Sequence, residues 1–158
     1  MHEIIILVAK YFIVIPIIVA IVVFIQLKDK KDKRNFAIAV IAGGIATILA
    51  ARLASSLWYD PRPFVVGHFT PLISHAADNG FPSDHTLLSA FIGWTILQYS
   101  RKYGIIVLIA AALIGTARVL AGVHHVSDII GSFVISGLVT LLVIFVMNKI
   151  KFTKKSAI

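Results

Sequence analysis

Apolar residues run through this chain in five long blocks, about 4–27, 36–58, 84–100, 104–122 and 126–148. Residues 11–27 carry no charge, and neither do the 20 residues from Ile129 to Asn148. Runs of that length cross a hydrocarbon core of about 30 Å as helices. The third block is the shortest, with an uncharged core of 15 residues from Thr86 to Ser100. The pattern predicts an all-α, polytopic membrane helix bundle of about five transmembrane helices, a single domain over residues 1–158. One long connection, 59–83, is rich in Pro, Gly, His and Asp. The first block reads as a span rather than a cleaved leader. Met1, His2 and Glu3 are not basic, the run is long, and no small-residue cleavage pattern follows it.

Composition agrees: 59% of residues are hydrophobic and the mean hydropathy is +0.95, more than a soluble domain of this length needs. There is no cysteine, so thiolate and disulfide chemistry is excluded. The formal charge of +8 raises nucleic acid as a partner, but its distribution argues against one. Lys28 to Arg34, Arg101-Lys102 and the tail Lys149 to Lys155 hold 11 of the 15 Lys and Arg, each between or after apolar blocks. That is the pattern of short cytoplasmic loops. It predicts an N-terminus outside, a cytoplasmic C-terminus and a location in the cell membrane. Five of the seven acids and all six histidines then fall outside or at the outer ends of spans. Ionisable residues at a membrane edge are functional candidates by default.

Three short stretches hold those residues. In "ARLASSLWYDPRPF", residues 51–64, Arg62 lies between two prolines that hold its backbone extended, and Arg52 sits about two turns inside the second block. Arg62 alone could be an ordinary loop arginine, and Arg52 could snorkel to an interface. In "GFPSDHTLLSA", residues 80–90, Ser83 reads as a helix N-cap, with Asp84 and His85 in the first turn. Free N–H groups and the dipole at that end favour an anion, although Ser83 and Asp84 could be plain caps. In "ARVLAGVHHVSDIIGS", residues 117–132, His124 and Asp128 are four apart and share one face if helical. A carboxylate so placed fixes the tautomer of an imidazole and leaves its other nitrogen free to react. Arg118 precedes His124 by six residues, and His125 points elsewhere. Such a pair could also be a satisfied helix-end histidine or a haem ligand set, but haem would need two histidines deep in facing helices. Guanidiniums grip phosphate oxygens in pairs, and histidine can attack phosphorus or protonate a leaving oxygen. The set suits phosphoryl transfer at a water–lipid boundary.

Together the stretches resemble the type-2 phosphatidic acid phosphatase superfamily, the lipid phosphate phosphatases related to vanadium haloperoxidases. The family pattern is K-x6-R-P, then P-S-G-H, then S-R-x5-H-x3-D. Here stand Arg62-Pro63, then Pro82-Ser83-Asp84-His85, then Arg118, His124 and Asp128 at matching spacing, within residues 52–128. Three positions depart. The family lysine falls at Ser55, with Arg52 one turn earlier as the candidate substitute; Ala117 replaces the serine; Asp84 replaces the glycine. The "PSDHT" form is similar to undecaprenyl-diphosphate phosphatases of the bacitracin-resistance type. The resemblance implies that His124 is the nucleophile and forms a phosphohistidine, Asp128 orients it, and His85 protonates the leaving oxygen. Arg62, Arg118, Ser83 and Arg52, with Asp84 beside them, would bind the phosphate of a lipid phosphate or diphosphate. It implies no metal and no other cofactor; the distribution of basic residues puts the active site on the extracytoplasmic side. A phosphatidate or phosphatidylglycerol phosphate phosphatase, or a non-catalytic lipid-phosphate binder or transporter, are the competing functions. The complete His–His–Asp set favours the enzyme.

Overall fold

The computed structural model describes the backbone of residues 2–156 and the side chains of 2–149, so most of the basic tail lies outside the described side chains. The chain forms seven helices in order: α1 (His2–Tyr11), α2 (Val14–Gln26), α3 (Lys30–Leu57), α4 (Pro63–Val66), α5 (Asp84–Leu97), α6 (Arg101–Leu120) and α7 (Val126–Ser156). No strand occurs among the described residues; Pro61 and Asn79 form an isolated bridge. The all-α expectation holds.

Three helices, α3, α6 and α7, are long and apolar enough to cross a membrane, and α1 with α2 would make a fourth span. The first block was expected to be one helix over 4–27. It is broken after Tyr11, and its halves are bent by 45°. Pro16 supplies the cause. It offers no N–H to the carbonyl of Phe12 and its ring crowds that carbonyl, so the α-helical ladder cannot run through. The expected third span is the 14-residue α5. At 1.5 Å per residue it is short for a lipid-facing crossing, and nine of its residues are buried. It is the interior helix, packed most extensively on α6 and then α7. Helices in lipid associate by close packing rather than by expelling water. The α5–α6 turn shows how close: a Cβ added at Gly104 would lie 2.5 Å from the Cα of Leu97.

The exterior is apolar. Ile41, Ile45, Leu49 and Leu53 of α3 and Val134, Leu138, Leu141 and Phe145 of α7 are exposed. Such continuous apolar surface belongs in lipid. Two buried clusters sit at opposite ends of the bundle. Val23, Phe36, Phe91, Ile96 and Val107 pack near the basic loops. Ala9, Ile73, Ala117, Ala121 and Val123 pack near the other end. That second cluster underlies the candidate site. The site itself gathers the C-terminal halves of α3 and α6, the N-terminal ends of α5 and α7, and the loop before α5.

Candidate active site

A cavity of about 500 Å³ opens at this end, and Arg52, Arg62, His75, Asp84, His85, Arg118 and His124 are among its lining residues. Three stretches that sequence spacing could only suggest as partners therefore meet in one space. His124 is the centre. It is 2% exposed, and it lies in the α6–α7 turn rather than on a helix, as the four-residue spacing had implied. Gly122, at φ +78°, makes that turn possible, since a side chain there would be strained and would strike the ring of Phe69. The pairing with Asp128 holds all the same. His124 Nδ1 is 3.1 Å from Asp128 Oδ2, and the same oxygen accepts the backbone N–H of His125 at 2.9 Å. Asp128 is fully buried, in the first turn of α7, where the helix dipole favours its charge.

With Nδ1–H donating to Asp128, Nε2 carries the free lone pair. Two guanidiniums face it: Arg62 Nη1 at 3.3 Å and Arg118 Nη2 at 3.4 Å. Burial pushes the His124 pKa down. The Asp128 hydrogen bond opposes that shift, and the charges of Arg118 and Arg62 reinforce it, so the net direction is below the usual histidine value. A buried neutral imidazole whose Nε2 lone pair faces two cations is suited to meet an anion bound between them.

The arginines are fixed by the backbone around them. Arg62 precedes α4, with Pro63 at the first helical position. Its Nε donates to Asp78 Oδ1 at 2.7 Å, Nη1 to the carbonyl of Val123 at 2.8 Å and Nη2 to that of Asn79 at 3.3 Å. Burial works against the Asp78 charge, but the Arg62 hydrogen bond and charge outweigh it and hold that carboxyl below its ordinary range. Arg118, in the last turn of α6, donates to the carbonyl of Ala9 at 3.4 Å, which gives the bent α1 its role as a prop. His85 lines the cavity from the first turn of α5, and Asp84 stands beside it, exposed.

Ser83 does not join them. It occupies the N-cap position of α5, but its side chain makes no capping bond. It is fully buried; its hydroxyl accepts from Thr86 Oγ1 at 3.2 Å, and its carbonyl accepts from Ser132 Oγ. A hydroxyl buried in an apolar bundle needs a partner, and Ser83 finds one inside rather than in the cavity. Sequence spacing also missed Asn79. Its amide donates to the carbonyls of Ser55 and Trp58 and to Ser55 Oγ, and its carbonyl accepts from Asp60 and Phe81. It fastens the 59–83 loop to the end of α3. The only sequence signal for it was an Asn-Gly pair in a polar loop.

The first-motif alignment gains a test from this geometry. Arg52 is exposed into the cavity, whereas Ser55 Oγ is one of three acceptors of a single amide. If Arg52 supplies the missing cation, Arg52→Ala should cut turnover about 100-fold, near 2.7 kcal/mol of barrier. Ser55→Ala should change it by less than about threefold, because two acceptors remain. Steady-state kinetics giving the reverse ranking would overturn the assignment.

Comparison with known proteins agrees with the geometry. The sequence profile of the family described as "PAP2 superfamily" matches residues 36–152. The bacitracin transport permease protein BcrC of Bacillus licheniformis is 33% identical over 84% of this chain and 65% of its own length. The undecaprenyl-diphosphatase BcrC of Bacillus subtilis (strain 168) is 39% identical over 59% of this chain and 48% of its own. The chain thus spans about half to two thirds of the length of these relatives. Among solved structures, a transmembrane PAP2-type phosphatidylglycerolphosphate phosphatase from Bacillus subtilis superposes with a TM-score of 0.59 at 24% identity, covering 94% of this chain and 77% of that one. That likeness is one of fold.

Proposed function

The chain belongs to the PAP2 superfamily, and from that premise we propose that it is an integral membrane phosphatase converting undecaprenyl diphosphate to undecaprenyl phosphate and inorganic phosphate at the outer face of the cell membrane. The observation that carries the proposal is His124 Nε2, held free by Asp128 and flanked by Arg62 and Arg118 at the cavity wall. A binder would need the guanidiniums but not the oriented, buried imidazole. The lipid part of the proposal is supported by the rest of the cavity, whose wall continues along Gly44, Ile48 and Ala51 of α3 and Leu88 of α5. The step from Gly44 to Ala51 is about 10 Å of helix at 1.5 Å per residue. A phosphate can lie at the cationic end while a prenyl tail follows the apolar wall into the bilayer.

The chemistry balances on these groups. His124 Nε2 attacks the terminal phosphorus, forming a P–N bond as the bridging P–O bond breaks, and His85 gives its proton to the departing oxygen. Water then enters; His85 takes its proton, the hydroxide oxygen bonds to phosphorus, the P–N bond breaks, and His124 returns neutral. Arg62 and Arg118 offset the charge on the equatorial oxygens, the work metal ions do in many phosphoryl transfers. Phosphate release from purified protein in detergent with EDTA should therefore be unimpaired, and fastest on undecaprenyl diphosphate. Faster release from phosphatidate or phosphatidylglycerol phosphate would overturn the substrate. Chelator loss restored by Mg²⁺ would overturn the metal-free route. No release from any of the three would favour a binder.

Sidedness is part of the proposal. The basic run Lys28 to Arg34 flanks the start of α3 and Arg101-Lys102 starts α6, while the cavity lies at the other end of both helices. By the basic-residue rule the cavity faces outward. A single cysteine at Ala77 and one at Lys31, both exposed positions, should react with an impermeant thiol reagent from opposite sides. Reaction from the same side would sink this orientation.

A further inference from the structure

Arg62 spends much of its hydrogen-bonding capacity on the protein. Asp78, Val123 and Asn79 each take one of its five N–H groups. Arg118 gives one to Ala9. A phosphoryl group has three equatorial oxygens to satisfy, and none of the three positions that depart from the motif, Ser55, Ala117 and Asp84, brings a cation. One further donor stands at the same wall. His75 lies in the loop before α5, and its ring meets that of His124 edge-on, with centroids 6.0 Å apart. Its Nδ1 is buried without a hydrogen-bond partner, 4.0 Å from Asp78 Oδ1. The loop is pinned on both sides of it. Ile73 is buried in the cluster beneath the site, and Leu72 N–H donates to Ala121; after it come the Arg62–Asp78 pair and the Asn79 hub.

We propose that His75 is a further catalytic residue of this site, donating an imidazole N–H to a non-bridging oxygen of the phosphoryl group held at His124. The inference rests on the phosphoryl-transfer reading above. The charged and titratable groups that share its cavity are Arg52 on α3, Arg62 before α4, Asp78 on its own loop, Asp84 and His85 on α5, Arg118 on α6 and His124 in the following turn. In the free protein, burial first and then Arg62 and Arg118 lower the His75 pKa and outweigh the backbone contact at Ala76 and the Asp78 carboxylate 4.0 Å away, so the ring is neutral near pH 7. A phosphate dianion set between His75 and the guanidiniums reverses the local field and favours the imidazolium. Its pKa is then higher in the complex than in the free protein. The added affinity is greatest at acid pH and fades as pH rises through the bound-state value.

The test is orthovanadate affinity, measured calorimetrically in detergent from about pH 5.5 to about pH 8.5 across the histidine range. Wild type would be compared with His75→Gln and His75→Ala. His75→Ala should bind roughly ten- to hundredfold more weakly at the acid end, the effect of one charge-assisted hydrogen bond, and the deficit should shrink toward the alkaline end. His75→Gln, which keeps a neutral N–H donor, should fall between, and it carries the test if the alanine variant does not fold. A deficit constant across pH would mean a structural role and overturn the proposal, as would no deficit, or a wild type that binds no vanadate. Binding is read without turnover, so a wild type that binds vanadate with this pH signature but cleaves no lipid phosphate would sink the functional reading and the catalytic role with it, leaving His75 as a donor to the bound oxyanion.

Discussion

Replacing His124 with alanine is expected to abolish turnover and, with it, any acid-labile phosphoenzyme. The loss should be at least about 10⁴-fold, near 5.5 kcal/mol of barrier, because on the proposed mechanism His124 forms the covalent bond. His125, the adjacent histidine, is the natural control. Its Nε2 lies 3.1 Å from the carbonyl of Pro61 and 3.8 Å from Asp60, on the loop and away from the guanidiniums. His125→Ala should stay within about tenfold of wild type. Phosphohistidine trapped on His125 or His85 instead of His124 would refute the assignment even if the phosphatase activity were confirmed. The pH profile gives a second handle. The reactive form of His124 is neutral, and its pKa is lowered in the fold. Activity should therefore hold as pH falls through the ordinary histidine value of about 6.5 and decline only below it. Asp128→Asn removes the hydrogen bond that pushes the His124 pKa upward, so the acid limb of kcat/KM should move further down. The maximum should fall at the same time, because the imidazole loses its fixed tautomer. An acid limb that moved up in Asp128→Asn would contradict this account.

Those residues were legible in the sequence because chemistry and spacing were both local. His124 and Asp128 are four apart, and their pairing survives although the histidine sits in a turn. Arg118 was placed by its spacing to His124. Arg62 was marked by the prolines around it. What bridges distant segments was not legible. Ser83 matched the motif, yet its hydroxyl turns inward, because it is surrounded by buried Thr86 and Ser132. No local rule reveals which way a helix-cap hydroxyl points once the helix is interior. His75 and Asn79 belong to a connection of irregular backbone, where hydrogen-bond partners come from α3 and the α6–α7 turn rather than from neighbours in the chain. The membrane elements divide the same way. The three long apolar helices α3, α6 and α7 follow from run length. The break at Tyr11 needed weight to be given to Pro16 inside an otherwise uniform run. The short α5 runs from the cavity end toward the basic end at Arg101, as the expected third span should, but it does so from the interior, and an interior helix is hydrophobic all round.

His85→Ala should separate the two halves of the reaction. His85 lines the cavity from α5 while His124 reaches it from the α6–α7 turn, so the two imidazoles approach from different elements, as in-line displacement requires. His124 has a buried carboxylate behind it; His85 makes no hydrogen bond to protein among the described residues. The first arrangement suits a nucleophile held in one tautomer, the second an acid that must exchange protons with water. Removing an acid–base group costs about 10²–10⁴-fold, but the cost should depend on what leaves. An alcohol, as from phosphatidate, departs as a strongly basic alkoxide unless protonated, so its release should suffer most. Nitrophenolate departs without a proton, so its burst from p-nitrophenyl phosphate should persist in His85→Ala. Water must still be activated for the second step in either case. With nitrophenyl phosphate the variant should therefore accumulate phosphohistidine on His124 that wild type turns over too quickly to trap. Rapid-quench experiments with labelled phosphate would show it. Equal losses for both substrates with no accumulated intermediate would mean that His85 only shapes the site, and the acid–base role would have to pass to another residue of the cavity.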